Sequence, residues 1–245
     1  MNASRVLATS RRVLLQLRHD PRTLALIVGV PCVLMALLRY IYDGQAAVFE
    51  HVGPVLLAVF PFVMMFVVTS VAMLRERTSG TLEMLLTKPL SKGELLTGYA
   101  LAFGTAAVVQ VAAASALTMG PLGLDVRGSA AVLAVVAIVD ALLGTALGLY
   151  LSAFANSEFQ AVQFLPAFVL PQLLLSGLFA PRDQMATVLR WLSDALPLSY
   201  AVDAATRAAT SSGWSASLVV DVAVVVACVP LALGLGALTL RRRTP

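Results

Sequence analysis

The chain alternates between long apolar runs and shorter polar connectors. Six apolar runs stand out, over residues 23–42, 53–74, 95–119, 130–154, 160–180 and 216–239. An α-helix needs about 20 such residues to cross about 30 Å of hydrocarbon. Alternating ten-residue segments, which would indicate barrel strands, are absent from the sequence. The pattern therefore predicts an all-α membrane protein, with a six-span transmembrane domain over residues 23–245.

The composition supports this prediction. Of the 245 residues, 59% are hydrophobic and 12% are charged, whereas a soluble domain carries about 25% charged residues. Cys32 and Cys228 each lie near the middle of an apolar run, as small core residues do, so neither a disulfide nor a metal pair is expected. A whole predicted span separates His19 from His51, which argues against a metal site built on both.

The basic residues collect on one side of the predicted topology. Twelve of the 17 Lys and Arg residues fall in the N-terminal segment, in the connector 75–94 and in the tail 241–243. Cytoplasmic loops carry an excess of Lys and Arg, so both termini and this connector are predicted to be cytoplasmic. Topology therefore accounts for the net charge of +4, and a nucleic-acid partner is not expected.

The segment 1–22 is predicted to be an amphipathic helix at the cytoplasmic surface of the membrane, in contact with lipid headgroups. Apolar residues recur there at helical spacing, largely opposite the arginines: Val6, Leu7, Val13, Leu14 and Leu17. Asp20 and Pro21 then form an N-cap and a first helical residue that open span one. A disordered basic tail is the alternative interpretation.

The segment from Pro181 to about Ser215 is the longest predicted outer connection. Apolar residues recur in it at positions i, i+3, i+4 and i+7: Met185, Val188, Leu189 and Leu192. This spacing predicts short amphipathic helices that lie at the outer surface or re-enter the membrane. Pro166 and Pro171 are predicted to kink span five on its way to them.

The connector between spans two and three carries an unusual density of charge for this chain, and reads RERTSGTLEMLLTKPLSKGE over residues 75–94. Ser79-Gly80 is predicted to end the helix of span two. A short helix would follow, capped by Thr81, and Pro89 would end it. Its glutamate and leucines are Glu83 in the first turn and, on one face expected to be exposed to a partner, Leu82, Leu85 and Leu86. The tetrapeptide 91–94 fits a capping box that opens span three.

Two polar residues lie deep in predicted spans. Asp140 is about 15 Å into span four at 1.5 Å per residue, and Gln110 lies at similar depth on span three. Two interpretations are open: a contact with a substrate or proton, or a structural hydrogen bond, for instance between these two residues. Gly144 and Gly148 form a G-x-x-x-G pattern that favours close helix packing.

Motifs of catalysis are missing from the sequence. It contains no G-x-x-x-x-G-K-[ST], no H-E-x-x-H and no G-x-S-x-G. The chain is therefore not expected to be an enzyme, and no cofactor is expected in it. If ATP drives its function, a separate chain must bind the nucleotide.

Two stretches resemble the type-2 ABC transporter permeases. The first is RERTSGTLEMLLTKPLSKGELLTGYALAFG, which is similar to the cytoplasmic connector of that family. The second is NSEFQAVQFLPAFVLPQLLLSGLFAPRDQMATVLRWLSDALPLSYAVDAATRA, which resembles its signature across span five and the outer loop. The resemblance implies a permease that pairs with a second copy or a related permease, the pair binding two ATP-binding subunits that hold ATP and Mg.

The resemblance also assigns a role to the short connector helix, as the coupling helix that sits in a groove of the ATPase. The residues to which it transfers this role are Arg75, Glu76, Arg77, Gly80, Thr81, Leu82 and Glu83. The expected function is export of a hydrophobic or amphipathic, drug-like or lipid-like substrate across a bacterial inner membrane. The alternatives are a proton-coupled secondary transporter that uses Asp140 and a membrane scaffold that transports nothing.

Overall fold

The computed structural model describes residues 2–87, 89–211 and 213–240. Within these ranges all regular secondary structure is helical, which confirms the predicted all-α class. The helices, in chain order, are α1 Ala3–Arg18, α2 Pro21–Ile41, α3 Ala46–Thr78, α4 Thr81–Leu86, α5 Lys92–Met119, α6 Ala130–Leu151, α7 Glu158–Phe164, α8 Leu170–Leu175, α9 Thr187–Ala195, α10 Pro197–Thr210 and α11 Ala216–Thr239.

Six helical segments of the described chain are long and apolar enough to cross a membrane, as predicted. They are Pro21–Ile41, Ala46–Thr78, Lys92–Met119, Ala130–Phe154, Glu158–Leu175 and Ala216–Thr239. The second is longer than the predicted run 53–74, because polar residues at both of its ends are also helical. Its 33 residues extend about 50 Å at 1.5 Å per residue, well beyond about 30 Å of hydrocarbon. The predicted cytoplasmic location of both termini stays a prediction.

The core of the bundle is built on close contact between α3 and α6. A Cβ added at Gly144 would lie 2.3 Å from the carbonyl oxygen of Phe62, and one at Gly148 would lie 2.4 Å from that of Phe66. Thr69 adds a hydrogen bond from its hydroxyl to the Thr145 carbonyl, at 3.2 Å. The G-x-x-x-G pattern therefore serves a contact within this chain, where only glycine lets two backbones approach so closely.

Helix α1 is docked on the bundle. Val6, Val13 and Leu17 are buried, and a Cβ added at Gly98 of α5 would lie 2.6 Å from the Cβ of Thr9. Leu7, which the spacing assigned to the same apolar face, is instead 63% exposed. The alternative of a disordered tail does not hold for the described residues, whereas the headgroup location of α1 stays a prediction.

Span five is interrupted near its middle. A π-helical turn, Leu165–Val169, separates α7 from α8 and contains Pro166. Proline lacks the N–H that an α-helix needs at an interior position. The α-helix of span five is therefore interrupted at Pro166, where a kink was predicted. The segment beyond α8, predicted to lie on the outer side, forms α9 and α10, and half of the residues of α10 are buried in the bundle. Arg182 binds the carboxylates of Asp194 and Asp203 there.

Candidate functional site

The connector turns sharply between α3 and α4. Helix α3 ends at Thr78 with Ser79 as its C-cap, and Gly80 has a φ of +73°, a left-handed conformation that favours glycine. The Met84 N–H donates to the Gly80 carbonyl at 3.2 Å. Gly80 thus occupies the cap position predicted for Thr81, which is instead the first residue of α4. The predicted helix, break and short helix are confirmed.

The leucines of α4 face the bundle. Leu82 is 4% exposed and Leu85 is 9% exposed, and both belong to the main hydrophobic core. The prediction that these two leucines form an exposed face was therefore wrong. Helical spacing shows that they share a face, but the nearest apolar surface to cover that face is the chain's own core. Among the described side chains of α4, Met84 is an exposed apolar one, at 60%.

The structure does not describe the side chains of two predicted coupling residues, Glu83 and Leu86. The backbone of both residues lies in α4, Thr81–Leu86. Lys88 and the tail 241–245 also lie outside the described residues. The predicted capping box at the start of α5 is confirmed, with Ser91 and Glu94 each accepting a hydrogen bond from the other's backbone N–H.

The two arginines that end α3 connect it to the segment after α6. Arg75 forms a two-pronged ion pair with Glu158, with Nε–Oε1 and Nη2–Oε2 distances of 2.6 Å and 3.0 Å. Arg77 donates to the carbonyl oxygens of Ser152 and Ala155, the second at 3.2 Å. Paired hydrogen bonds of this kind fix orientation as well as distance. The last turn of α3 is thus fastened to the end of span four and the start of span five.

Glu76 faces the opposite way, toward α1 and α5. Its Oε1 accepts a hydrogen bond from Arg12 Nη1 at 3.2 Å, and Arg12 Nη2 donates to the Tyr99 hydroxyl at 2.6 Å. The backbone N–H of Asn2 donates to Glu94 at 2.7 Å, so α1 is held to α5 at a second point. The sequence assigned no role to Arg12, Tyr99 or Glu158, although Glu158 lies in one of the stretches that carry the family resemblance.

The structure thus brings together Arg75, Glu76, Arg77, Gly80 and Thr81 at one end of the bundle. Helices α1 and α7 and the segment that follows α6 contact the end of α3 that leads into α4, and two leucines of α4 attach the connector to the core. The result is a short helix that is held in place at the end of the bundle. Among the described residues, no group of three or more His, Cys, Asp or Glu side chains could hold a metal ion.

The two intramembrane polar residues lie elsewhere, in the body of the bundle. Asp140 and Gln110 are both fully buried. No side-chain oxygen or nitrogen of either residue has a hydrogen-bond partner among the described residues. The hydrogen bond suggested between them is therefore not formed. Unsatisfied buried polar groups are uncommon in native proteins. Asp140 therefore remains a candidate for a contact with a substrate or a proton.

Comparison with known proteins agrees with the fold and the connector. The family model described as ABC-2 type transporter matches residues 4–209. The chain is 27% identical over 206 residues to the probable multidrug ABC transporter permease YbhS of Escherichia coli strain K12, covering 84% of this chain and 55% of that protein. It is 28% identical over 152 residues to the probable multidrug ABC transporter permease YbhR of the same strain, covering 62% of this chain and 41% of that protein.

A more distant similarity reaches beyond bacteria. ABC transporter G family member 20 of Dictyostelium discoideum is 23% identical over 155 residues, covering 63% of this chain and 21% of that protein. The chain spans about half the length of these Escherichia coli relatives, 55% of YbhS and 41% of YbhR. The family match includes the connector, span five and most of α10. The chain belongs to the ABC-2 type transporter family.

Proposed function

We propose that this chain is the permease subunit of an ATP-driven exporter in a bacterial inner membrane. The observation that carries the proposal is the connector. It contains a short helix with an exposed methionine, and the end of α3 that leads into it is held by contacts with α1, α7 and the segment after α6. In this proposal α4 receives the movement of a separate ATP-binding subunit, which holds ATP and Mg. Two permeases, identical or related, assemble with two such subunits.

The contacts of α4 and of the end of α3 provide a physical route for that movement. Because Leu82 and Leu85 bury α4 in the core, a force on Met84 moves the end of α3 with it. Arg75 then carries the displacement to Glu158 at the start of span five. The excess of basic residues at this end of the bundle supports its placement in the cytoplasm. The names of the bacterial relatives support a hydrophobic or amphipathic, drug-like cargo.

The ion pair between Arg75 and Glu158 provides the test of this route. The chain is co-expressed with an ABC ATP-binding subunit, and ATP-dependent uptake of cationic, neutral and anionic fluorescent amphiphiles is measured in inside-out vesicles. We expect Arg75→Glu and Glu158→Arg each to reduce uptake about tenfold, and the double swap to recover most of it. An exposed ion pair contributes only about 0.2–1 kcal/mol to stability, so expression and assembly should be unchanged.

The outcomes separate the proposal from its rivals. Uptake that needs no ATPase, and that an uncoupler abolishes, would replace the exporter by a proton-coupled transporter. Binding of the ATPase without uptake of any dye in the panel would favour a scaffold. Asp43→Arg serves as the control: it reverses the charge of a carboxylate that is 82% exposed just beyond the C-terminal end of α2, and it should leave uptake unchanged.

A second candidate, proton-coupled transport, is favoured by one observation: the buried carboxyl of Asp140 has no hydrogen-bond partner in the part of the chain that the structure describes. We expect Asp140→Asn to fold and to retain ATP-driven uptake within twofold, because the exporter uses no proton from this residue. Asn keeps the size of the side chain and removes the titratable group. The measurement is uptake per assembled complex in the same vesicles. Normal assembly with uptake lost would instead show that transport requires the carboxyl of Asp140, and sensitivity of the remaining uptake to an uncoupler would then favour a proton over a substrate contact.

A further inference from the structure

A cleft of about 760 Å³ opens between α1, α2, α3 and α5, at the end of the bundle that carries the connector. This volume lies within the range of about 300–1,000 Å³ that is usual for small-molecule sites. Along α3 the lining runs from Met64 to Thr78, which is about 21 Å at 1.5 Å per residue. The cleft is therefore long enough for an extended molecule rather than a compact one.

The two ends of the cleft differ in polarity. Leu26, Met64, Val68 and Phe103 line the end that reaches into the spans, whereas Asp20, Glu76, Ser79 and Thr81 line the end beside the connector. Leu26 is 53% exposed, so the apolar end is accessible from the side of the bundle. A molecule with an apolar tail and a polar head matches this division.

The polar end is lined by two carboxylates and one guanidinium, those of Asp20, Glu76 and Arg75, which leaves one negative charge in excess among the charged lining residues. Asp20 accepts hydrogen bonds from the Thr23 hydroxyl and N–H, at 2.6 Å and 3.2 Å. These bonds, first the one from the hydroxyl, lower the pKa of the Asp20 carboxyl, so it is ionised at neutral pH. Glu76 uses Oε1 to bind Arg12, while its buried Oε2 has no hydrogen-bond partner among the described residues.

The arginines closest to the polar end are each paired with a carboxylate. Arg12 pairs with Glu76. Arg75, which lines the cleft and also helps to lower the pKa of Asp20, pairs with Glu158. Among the described residues Asp20 accepts hydrogen bonds but forms no ion pair, so its carboxylate favours a cation over an anion at this end of the cleft.

We propose that this cleft binds a monovalent cationic amphiphile, with the head beside Asp20 and Glu76 and the tail along Leu26, Met64 and Phe103. The proposal rests on the proposed function, whose substrate class it specifies. A cationic head gains from the two carboxylates, and the tail is removed from water by the apolar walls. An anionic amphiphile with the same tail meets like charge at the head position.

Binding can be tested without any ATPase. The full chain is placed in lipid nanodiscs, and binding of radiolabelled hexadecyltrimethylammonium, as the probe, is measured by equilibrium dialysis, with empty nanodiscs as the blank. We expect dodecyltrimethylammonium to displace the probe and dodecyl sulfate, with the same tail, not to displace it. Equal displacement by both, or no specific binding of the probe, overturns the proposal.

Two variants locate the binding site. Asp20→Asn should raise the Kd of the probe about tenfold, because one carboxylate charge is removed close to the head. Asparagine caps a helix as well as aspartate does, so α2 keeps its N-cap. Asp43→Asn, the same change at the 82% exposed carboxylate beyond the other end of α2, should leave the Kd within twofold. An unchanged Kd in Asp20→Asn overturns the proposal.

The apolar end has its own variant and control. Leu26→Trp fills the cleft and should reduce probe binding at least fivefold, whereas Leu231→Trp, at a leucine that is 61% exposed on α11, should not. If Leu26→Cys forms a disulfide between two copies and probe binding is lost, a second copy covers the cleft and the proposal fails. Absent probe binding with intact ATP-dependent uptake rejects the cleft alone and leaves the exporter in place.

Discussion

Met84→Asp should abolish co-purification of the chain with its ATP-binding subunit and reduce ATP-dependent uptake to background. Met84 is 60% exposed on α4, and an exposed methionine adapts well to an apolar groove. Apolar anchors at the centre of an interface commonly contribute 2 kcal/mol or more to binding, which is about a 30-fold change in affinity. The measurement is the ratio of the two subunits after affinity purification, together with uptake in vesicles.

Three controls make this result specific. Met84→Leu should retain the partner, because the surface stays apolar. Val188→Asp introduces the same charge at a residue that is 72% exposed on α9, and should leave assembly intact. Leu82→Asp places a charge in the core and should instead lower the yield of folded chain. If Met84→Asp binds the subunit as the unaltered chain does, α4 is not the site of contact.

Gly148→Leu should prevent the chain from folding. Even the first carbon of the new side chain would lie 2.2 Å from the Thr69 hydroxyl oxygen and 2.4 Å from the Phe66 carbonyl oxygen. Backbone has to move to remove such overlaps, and we expect a cost above about 3 kcal/mol, the upper end of the usual range for overpacking. The readout is the yield of monodisperse protein in detergent and its thermal midpoint.

The matched control is Gly234→Leu. Gly234 lies on α11, and an added Cβ there meets nothing within 4 Å. This variant should give normal yield, because leucine at an exposed helical position also has the better helix propensity. Gly148→Ala should fall between the two, with a lowered thermal midpoint. Normal stability of Gly148→Leu would mean that α3 and α6 are farther apart than the structure places them.

The sequence predicted the helices of the fold better than the contacts between them. The spans, the break at Gly80 and the capping box at Ser91 depend on neighbours within a few residues, so local pattern was sufficient. Helix α3 continues through polar residues at both ends, because helical hydrogen bonds do not require apolar side chains. Hydropathy therefore located the part of α3 that lies in hydrocarbon, and not the whole helix.

The candidate site shows the complementary limit. Spacing placed Leu82 and Leu85 on one face, but it could not tell whether a partner or the chain's own core covers that face. The pair Arg75 and Glu158 joins residues 83 positions apart, and Arg12 reaches Glu76 across 64. Contacts of this range depend on how the spans are arranged, which no local pattern encodes.

The position of the two glycines on α6 has a mechanical consequence. They meet α3 at Phe62 and Phe66, and Pro61 and Pro54 lie on α3 just beyond, on the side away from the connector. From Phe62 to Thr78 the helix runs about 25 Å at 1.5 Å per residue without a proline. We expect that half to be stiffer than the half with the prolines, because proline removes a helical hydrogen bond and commonly kinks a helix. Under the proposed function, a push at the connector would therefore tilt the stiff half about the glycines, and the bending would fall in the proline half.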